Sequence, residues 1–386
     1  CCPTNIVRFI PQVGGYFYAT SSDAVWVNLY AANKAEIPLG GRSIEIIQET
    51  DYPWSGHVKL VVRPTHPTTF KLHLRIPEWC VKATAKINQK PIEISPDDNG
   101  YLSLDREWQL GDTIDLEMPM PIDRIISHPK VVADHGHTCL RRGPVVYCLE
   151  ATDNEGSVRD IALPQNTHLE PHFEEDLLSG VTVLRGKAWR RSPIDWENQL
   201  YQTSPLDKEI EIMAVPYHAW DNREVGPMSV WLPESTILAE AKLKPTIAIE
   251  GEPAASFVFN QLDAINDNLM PSGSNDQTIP RFTWWDQRGT SEWIRLTFEE
   301  TKQISCAEVY WFDDGDRGEC RIPEFWKVEW YNGAIWQPVT NSSAYGIELD
   351  IFNRVSFDAV QTTSIRVTVK LQEGMSGGIL EWRLPQ

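Results

Sequence analysis

The chain has 386 residues, which is enough for two to four domains of about 100–200 residues each. Its 27 Pro, 23 Gly and 41% hydrophobic residues describe a turn-rich globular protein and exclude a collagen-like, coiled-coil or low-complexity chain. The 54 acidic side chains outnumber the 35 basic ones, and the net charge of -19 disfavours binding to nucleic acid or to an anionic membrane. No apolar run reaches the length of about 18 residues that a membrane span needs, so we predict neither a nucleic-acid partner nor a membrane span.

After a short helical segment at Asn5–Ile10, most of the chain alternates between apolar and polar residues with the two-residue period of β-strands. Strands are predicted at Ala24–Tyr30, Val58–Val62, Phe70–Ile76, Thr113–Met118, Val145–Glu150, Glu209–Val215, Met228–Leu232, Trp293–Phe298, Glu308–Phe312, Trp326–Tyr331 and Ser364–Leu371. Many short strands separated by turn residues indicate β-sandwiches. No repeat of fixed period occurs, which argues against a propeller or a solenoid.

Composition also predicts where domains end. The polar stretch Glu150–Gly156 interrupts the strands, and a segment that follows it carries an acidic stretch, Glu170–Asp176, predicted to be a solvated loop. The Pro- and Glu-containing stretch Lys242–Pro253 is typical of a linker. The block beyond it holds eight of the 16 Trp and no His. We therefore predict divisions at about residues 150 and 245.

The sharpest chemical signal is the adjacent pair Cys1-Cys2, followed by Pro3. Two neighbouring thiolates can bind one soft metal ion, and a bound metal lowers a thiol pKa toward the reactive thiolate. By itself, an adjacent cysteine pair is more often structural, an accident of the exposed surface or a strained disulfide. The other five cysteines are scattered, unlike a disulfide framework, and are predicted to be buried thiols.

Five segments occur in the order found in the C-terminal half of glycoside hydrolase family 127, and residues 1 to about 233 resemble that family. The segments are Cys1–Ile6, Gln48–Trp54, Arg75–Cys80, Arg142–Tyr147 and Ala214–Trp220. Members of the family are β-L-arabinofuranosidases with an (α/α)6 barrel that carries the active site, followed by β-sandwich domains. The resemblance implies an all-β chain of tandem antiparallel β-sandwiches, without that barrel. Residues 1–20 would be the end of the catalytic barrel, 21–150 the first sandwich and 151–245 the second.

The resemblance also implies a chemistry. Cys1 corresponds to the nucleophile of a retaining mechanism, held as a zinc thiolate, and Cys2 to a second zinc ligand. The family's other zinc ligands and its acid/base Glu lie on the barrel, so the chain alone is expected to be inactive. The polar and aromatic loop Pro216–Arg223 is expected either to face substrate or to pack between domains.

The last block, residues 246–386, resembles a discoidin-type jelly roll of carbohydrate-binding family 32. The segments that carry this resemblance are Asp263–Asp267, Phe282–Asp286, Glu292–Phe298 and Gly377–Leu384. The resemblance implies a structural calcium ion, for which Asp263, Asp267 and Glu381 are candidate ligands. It also implies sugar binding by exposed loops, with Trp285, Trp311, Asp314, Asp316 and Arg317 as candidate contacts.

Two alternatives remain at this point. The chain is either part of a family 127 hydrolase acting on terminal β-L-arabinofuranosyl residues or a non-catalytic carbohydrate-binding scaffold, and the related family 146 shares the architecture of the first. An arabinose-containing glycan is the expected partner, and a periplasmic or secreted location is expected by analogy.

Overall fold

A computed structural model describes residues 2–194, 201, 203, 206–240 and 242–386. These residues are almost entirely β, and no helical barrel is found among them, as predicted. They form two compact units, an N-terminal unit of residues 1–189 and 209–238 and a C-terminal unit of residues 190–208 and 239–386. No helix in the described part of the chain is long and apolar enough to cross a membrane.

The N-terminal unit begins with helix α1 (Cys2–Gln12), which contains the predicted helical segment, and then forms a β-sandwich. Its strands are β1 (Tyr18–Thr20), β2 (Ala24–Val27), β3 (Asn33–Leu39), β4 (Arg42–Thr50), β5 (His57–Pro64), β6 (Thr68–Arg75), β7 (Thr84–Ile87), β8 (Lys90–Ile92), β9 (Tyr101–Trp108) and β10 (Asp112–Glu117). A four-stranded sheet in the order β1-β2-β6-β9 packs on a six-stranded sheet in the order β3-β4-β5-β10-β7-β8. The β2–β6 pair is parallel.

The alternation of the sequence explains this first sandwich. In β6, every second side chain from Thr68 to Leu74 is buried and those between are turned outward. Phe70, Leu72 and Leu74 therefore reach the core, where they meet inward side chains of the other sheet. Trp108 is fully buried in the same core and donates a hydrogen bond from Nε1 to the Phe70 carbonyl at 3.1 Å.

A second β-domain completes the N-terminal unit. Its strands are β11 (Ile122–Ile125), β12 (His137–Arg142), β13 (Val145–Glu150), β14 (Ile161–Ala162), β15 (Leu169–Glu174), β16 (Val181–Arg190), β17 (Lys208–Pro216), β18 (Met228–Ser229) and β19 (Trp231–Pro233). They form one branched sheet, with the main order β11-β12-β13-β17-β16-β14. The predicted division at residue 150 falls inside this sheet, because β13 pairs with β17.

One other expectation for this region needs correction. The stretch 170–176 was expected to be a loop, yet most of it lies in β15, which pairs with β16 from Leu169–Gly186 to Glu174–Val181. Its acidic residues and the absence of apolar alternation concealed a strand whose side chains are mostly exposed. The loop 216–223 is anchored by its last residue, Arg223. The Arg223 guanidinium donates hydrogen bonds to Glu150 at 2.5 Å and to Asp153 at 2.7 Å.

The C-terminal unit contains β20 (Glu252–Ala255), β21 (Phe282–Thr283), β22 (Ser291–Phe312), β23 (Phe325–Tyr331), β24 (Trp336–Pro338), β25 (Asn353–Lys370) and β26 (Gly378–Arg383). The main order is β21-β26-β22-β25-β23-β24, and β20 pairs with β22. Register shifts in the long β22–β25 pair, after Thr297 and after Ile304, allow these two strands to bend. Short 3₁₀ helices at Ile247–Glu250, Leu262–Ile265 and Gly315–Arg317 lie between strands.

Residues 242–253 are not a linker. Leu243, Ile247 and Ala248 are buried, and Ile247 and Ala248 belong to the main core of the C-terminal unit. Thr246 caps the 3₁₀ helix by accepting a hydrogen bond from the Ala248 backbone N–H. The Pro and Glu content of this segment is typical of linkers, but the segment is packed into the unit. The predicted divisions at residues 20 and 245 remain predictions.

Candidate functional sites

The cysteine motif stands at the start of α1. Cys1, the predicted nucleophile and zinc ligand, lies outside the described residues. Cys2 opens the helix with an exposed side chain. The described residues contain no group of three His, Cys, Asp or Glu side chains placed to hold a metal ion. A structural zinc ion takes four ligands, so the described residues do not by themselves complete a zinc site.

Helix α1 has no buried residue, although one of its faces is apolar. Ile6, Val7, Phe9 and Ile10 are each more than half exposed. Contiguous apolar side chains on a helix usually face a partner surface. The helix that carries the cysteine motif therefore presents an uncovered apolar face.

The other five cysteines are buried, as predicted. Burial raises the thiol pKa of each, to about 12 for Cys148 and to about 11 for Cys320. Thiols with such pKa values stay protonated at neutral pH, and the protonated form is a poor nucleophile and metal ligand. Within the described residues, Cys2 is thus the one cysteine whose side chain is exposed to a metal ion or a substrate.

Of the two predicted sugar-stacking tryptophans, the structure excludes one. Trp311 is fully buried in the core of the C-terminal unit, where its ring packs edge-on against Trp326 at a centroid distance of 5.5 Å. A ring enclosed on all sides offers no face to a sugar, so the prediction for Trp311 is wrong. The strand alternation that placed it near a loop did not reveal that it lies on the inner face of β22.

Trp285, the second predicted sugar-stacking tryptophan, is not enclosed in the core. Its ring is half-buried, and the Arg288 guanidinium stacks on it at 4.7 Å from the ring centre. Arg288 also forms an ion pair with Glu319, which joins Trp285 to the loop after β22. Sequence reasoning did not single out Arg288 or Glu319, because the two residues of this ion pair are far apart in the chain.

The loop after β22 contains the remaining predicted sugar contacts. Asp314 accepts hydrogen bonds from the Cys320 backbone N–H and from Arg321 Nη1, both at 3.0 Å, so its carboxylate is used within the loop. Asp316 and Arg317 are exposed on the 3₁₀ helix Gly315–Arg317. These two side chains remain accessible to a ligand.

The predicted calcium ligands are only partly brought together. Glu381 is buried, and burial raises the pKa of its carboxyl well above the ordinary value, with the neighbouring Asp267 carboxylate raising it further. One carboxyl oxygen of Glu381 accepts a hydrogen bond from the Asn268 N–H at 2.9 Å, and the Glu381 carboxyl group also interacts with the Asp267 side chain. Asp263 is exposed and does not join them in a three-ligand group.

Comparison with known proteins assigns the N-terminal unit. Residues 24–120 match the family model described as "Beta-L-arabinofuranosidase, GH127 middle domain", and residues 122–233 match the "Glycoside hydrolase family 127 C-terminal domain". The two β-domains of the N-terminal unit thus correspond to these two domains of the family. The two models together cover more than half of the chain, so the chain carries the middle and C-terminal domains of glycoside hydrolase family 127.

Relatives with this family's name are similar along the same region. A non-reducing end β-L-arabinofuranosidase of Bifidobacterium longum subsp. longum is 32% identical over 245 residues, which are 60% of this chain and 36% of that protein. The crystal structure of a GH127 β-L-arabinofuranosidase from Geobacillus stearothermophilus T6 is 43% identical with a TM-score of 0.58, covering 61% of this chain and 37% of that one. A GH127 β-arabinofuranosidase of known structure is 34% identical with the same TM-score, over 62% of this chain and 39% of that one. The chain spans less than two-fifths of the length of these relatives.

Proposed function

We propose that the chain is the C-terminal portion of a retaining glycoside hydrolase that removes terminal β-L-arabinofuranosyl residues. The observation that carries this proposal is the pair of family 127 domains in order, together with relatives named as β-L-arabinofuranosidases. A family 146-like arabinofuranosidase, which shares this architecture, is the alternative. A panel of substrates of different linkage separates the two. An arabinose-containing glycan is the partner we expect, and we retain the expectation of a periplasmic or secreted location.

In the proposed reaction, the Cys1 thiolate attacks the anomeric carbon and displaces the leaving alcohol. A carboxylic acid protonates that alcohol, and its conjugate base then removes a proton from the water that cleaves the sugar–sulfur bond. Two displacements at one carbon retain its configuration. We assign to Cys1 and Cys2 two of the ligands of a zinc ion, which would keep the thiols deprotonated at neutral pH.

The remaining zinc ligands and the acid/base carboxyl are proposed to come from polypeptide other than the residues described in this structure. The exposed apolar face of α1 supports this proposal, because Ile6, Phe9 and Ile10 need a covering surface. We therefore propose that α1 packs against further helices in the complete enzyme. On its own, the present chain is expected to be catalytically inactive.

The test compares this chain with the complete reading frame from which it derives. Both are assayed for zinc content and for hydrolysis of p-nitrophenyl β-L-arabinofuranoside, and the complete protein is also tested on a panel of arabinosides of different linkage. We expect zinc and turnover only in the complete protein. Cys1→Ser should abolish turnover, whereas Cys80→Ala, which removes a buried thiol, should retain it.

Either of two results would overturn the assignment. A complete protein that contains no zinc and cleaves no arabinoside would favour the alternative of a non-catalytic carbohydrate-binding scaffold. Turnover that survives in Cys1→Ser would exclude the thiolate mechanism but would not contradict the family assignment. Preference for a linkage other than the terminal β-L-arabinofuranosyl bond would favour the family 146-like reading.

For the C-terminal unit we propose a discoidin-like carbohydrate-binding role, with Trp285, Asp316 and Arg317 as sugar contacts. A calcium ion is proposed at Glu381 and Asp267, where two adjoining carboxyl groups suit a hard cation whose other ligands are carbonyl oxygens. Calcium should raise the unfolding temperature of the wild type and not of Glu381→Gln. Equal effects of calcium on both proteins would exclude this site.

A further inference from the structure

A groove lies on the outer face of the second β-domain, across strands β15, β16 and β17. It encloses about 580 Å³ and is lined in part by His168, Glu170, His172, Lys187, Trp189 and Glu209. This volume falls within the range of about 300–1,000 Å³ that is typical of small-molecule sites. None of the lining residues has a role in the function proposed above.

Strand geometry explains why these side chains share one face. Arg185, Lys187 and Trp189 alternate with inward or half-buried residues along β16, so all three point outward. Glu170 lies opposite Arg185 in the β15–β16 pair. Gly186 sits where a Cβ atom would come within 2.4 Å of the His168 carbonyl oxygen, so glycine permits the two strands to approach closely at the groove.

Most of the charged side chains in the groove are already paired with a neighbour of opposite charge. Lys187 Nζ contacts Glu209 at 2.6 Å, and Arg185 contacts Glu174 at 3.0 Å. His168 Nε2 lies 3.2 Å from Glu170. A strongly charged ligand would gain little from a lining of nearly balanced charge. Uncharged hydroxyl groups, in contrast, can bond to ionised donors and acceptors without disturbing their balance.

Among the described residues that line the groove, Trp189 supplies the one large aromatic surface. Its side chain is 40% exposed, and none of the described rings or cations stacks on it. An open indole face beside ordered polar groups suits a ligand that has an apolar ring face and hydroxyl groups at its edges. Lipids and other apolar ligands are disfavoured, because the rest of the lining is polar.

We propose that the β15–β17 groove is a second, non-catalytic binding site for a neutral oligosaccharide, in which Trp189 stacks on one sugar ring and the row of polar side chains bonds its hydroxyl groups. Its lining residues include neither the cysteine motif nor any residue of the C-terminal unit. It does not depend on the proposed hydrolase activity.

The test is native affinity electrophoresis of the intact 386-residue chain in gels that contain soluble arabinan, arabinoxylan or dextran. At least one of these polysaccharides should retard the wild type. Trp189→Ala should weaken retardation about ten-fold, which corresponds to about 1.4 kcal/mol. Glu211→Gln, on an exposed residue of the same groove, should weaken it to a smaller degree. Phe325→Ala removes an exposed strand aromatic elsewhere and should leave retardation unchanged.

Circular dichroism and thermal unfolding of each variant verify folding, and Glu211→Gln keeps the test valid if Trp189→Ala fails to fold. Trp285→Ala separates this groove from the site proposed in the C-terminal unit. Retardation that survives in Trp189→Ala and Glu211→Gln but disappears in Trp285→Ala would overturn the groove proposal. The absence of retardation by all three polysaccharides would also overturn it. Neither result bears on hydrolysis by the complete protein.

Discussion

Glu329 provides the most quantitative prediction for the C-terminal unit. It lies on β23 with 5% of its surface exposed, facing β25. Its carboxylate accepts hydrogen bonds from Arg366 Nε at 2.9 Å, from Thr368 Oγ1 at 2.7 Å and from Lys327 Nζ at 3.0 Å. Burial alone would raise the pKa of this carboxyl, but these donors outweigh burial and lower the pKa from 4.5 to about 2.

The lowered pKa translates into stability. A carboxyl whose pKa is 4.5 in the unfolded chain and about 2 in the folded protein contributes about 3 kcal/mol to stability at neutral pH. Glu329→Gln keeps the shape and part of the hydrogen bonding, so we expect it to lower the free energy of unfolding by about 2 kcal/mol. Because the folded pKa is the lower one, the contribution is complete above pH 4.5 and is lost as the pH falls toward about 2.

The assay is urea denaturation of wild type and Glu329→Gln at neutral pH and at several values between about 5 and 2.5. Glu299→Gln, an exposed residue of β22, is the matched control and should change the free energy of unfolding by less than about 0.5 kcal/mol. The difference between wild type and Glu329→Gln should shrink below pH 4.5. A difference that stays constant with pH, or that is no larger than the control's, would refute the electrostatic reasoning.

Three further predictions follow from burial. Arg223→Met should destabilise the N-terminal unit by about 3–5 kcal/mol, because it leaves the buried Glu150 and Asp153 carboxylates without their cation, and Arg223→Lys should cost less when both are compared by urea denaturation. Trp311→Ala should cost about 3–5 kcal/mol in the same assay without weakening sugar retardation in gels that contain polysaccharide, and a loss of binding in the folded variant would contradict its assignment to the core. In the native protein, a maleimide reagent followed by peptide mapping should modify Cys2 much faster than Cys148, and similar rates would show that the buried thiol is accessible.

The sequence could predict strands but not which of their faces are covered. Alternation correctly indicated β6 and β10, because a strand with one face in a core must place an apolar side chain at every second position. The same rule failed for β15, whose exposed residues carry no apolar pattern although its backbone pairs with β16. Backbone pairing needs a neighbouring strand, and the residues of β15 do not reveal that neighbour.

The candidate sites divide in the same way. The motifs were sufficient to indicate family 127, and the family models support that interpretation over residues 24–233. Sequence could not separate Trp285 from Trp311, because both follow strand-like patterns near loops. Only the packing of Trp311 against Trp326 assigns it to the core and leaves Trp285 beside Arg288.

By itself, then, the sequence determined the all-β class, the position of most strands and the family, because these depend on local alternation and on short motifs. Tertiary structure decided which polar and aromatic side chains come together. Residues 242–253 became part of a core, and Lys187, Trp189 and Glu209 came to line one groove. The physical reason is that burial and side-chain pairing are set by neighbours distant in the chain, which a local pattern does not specify.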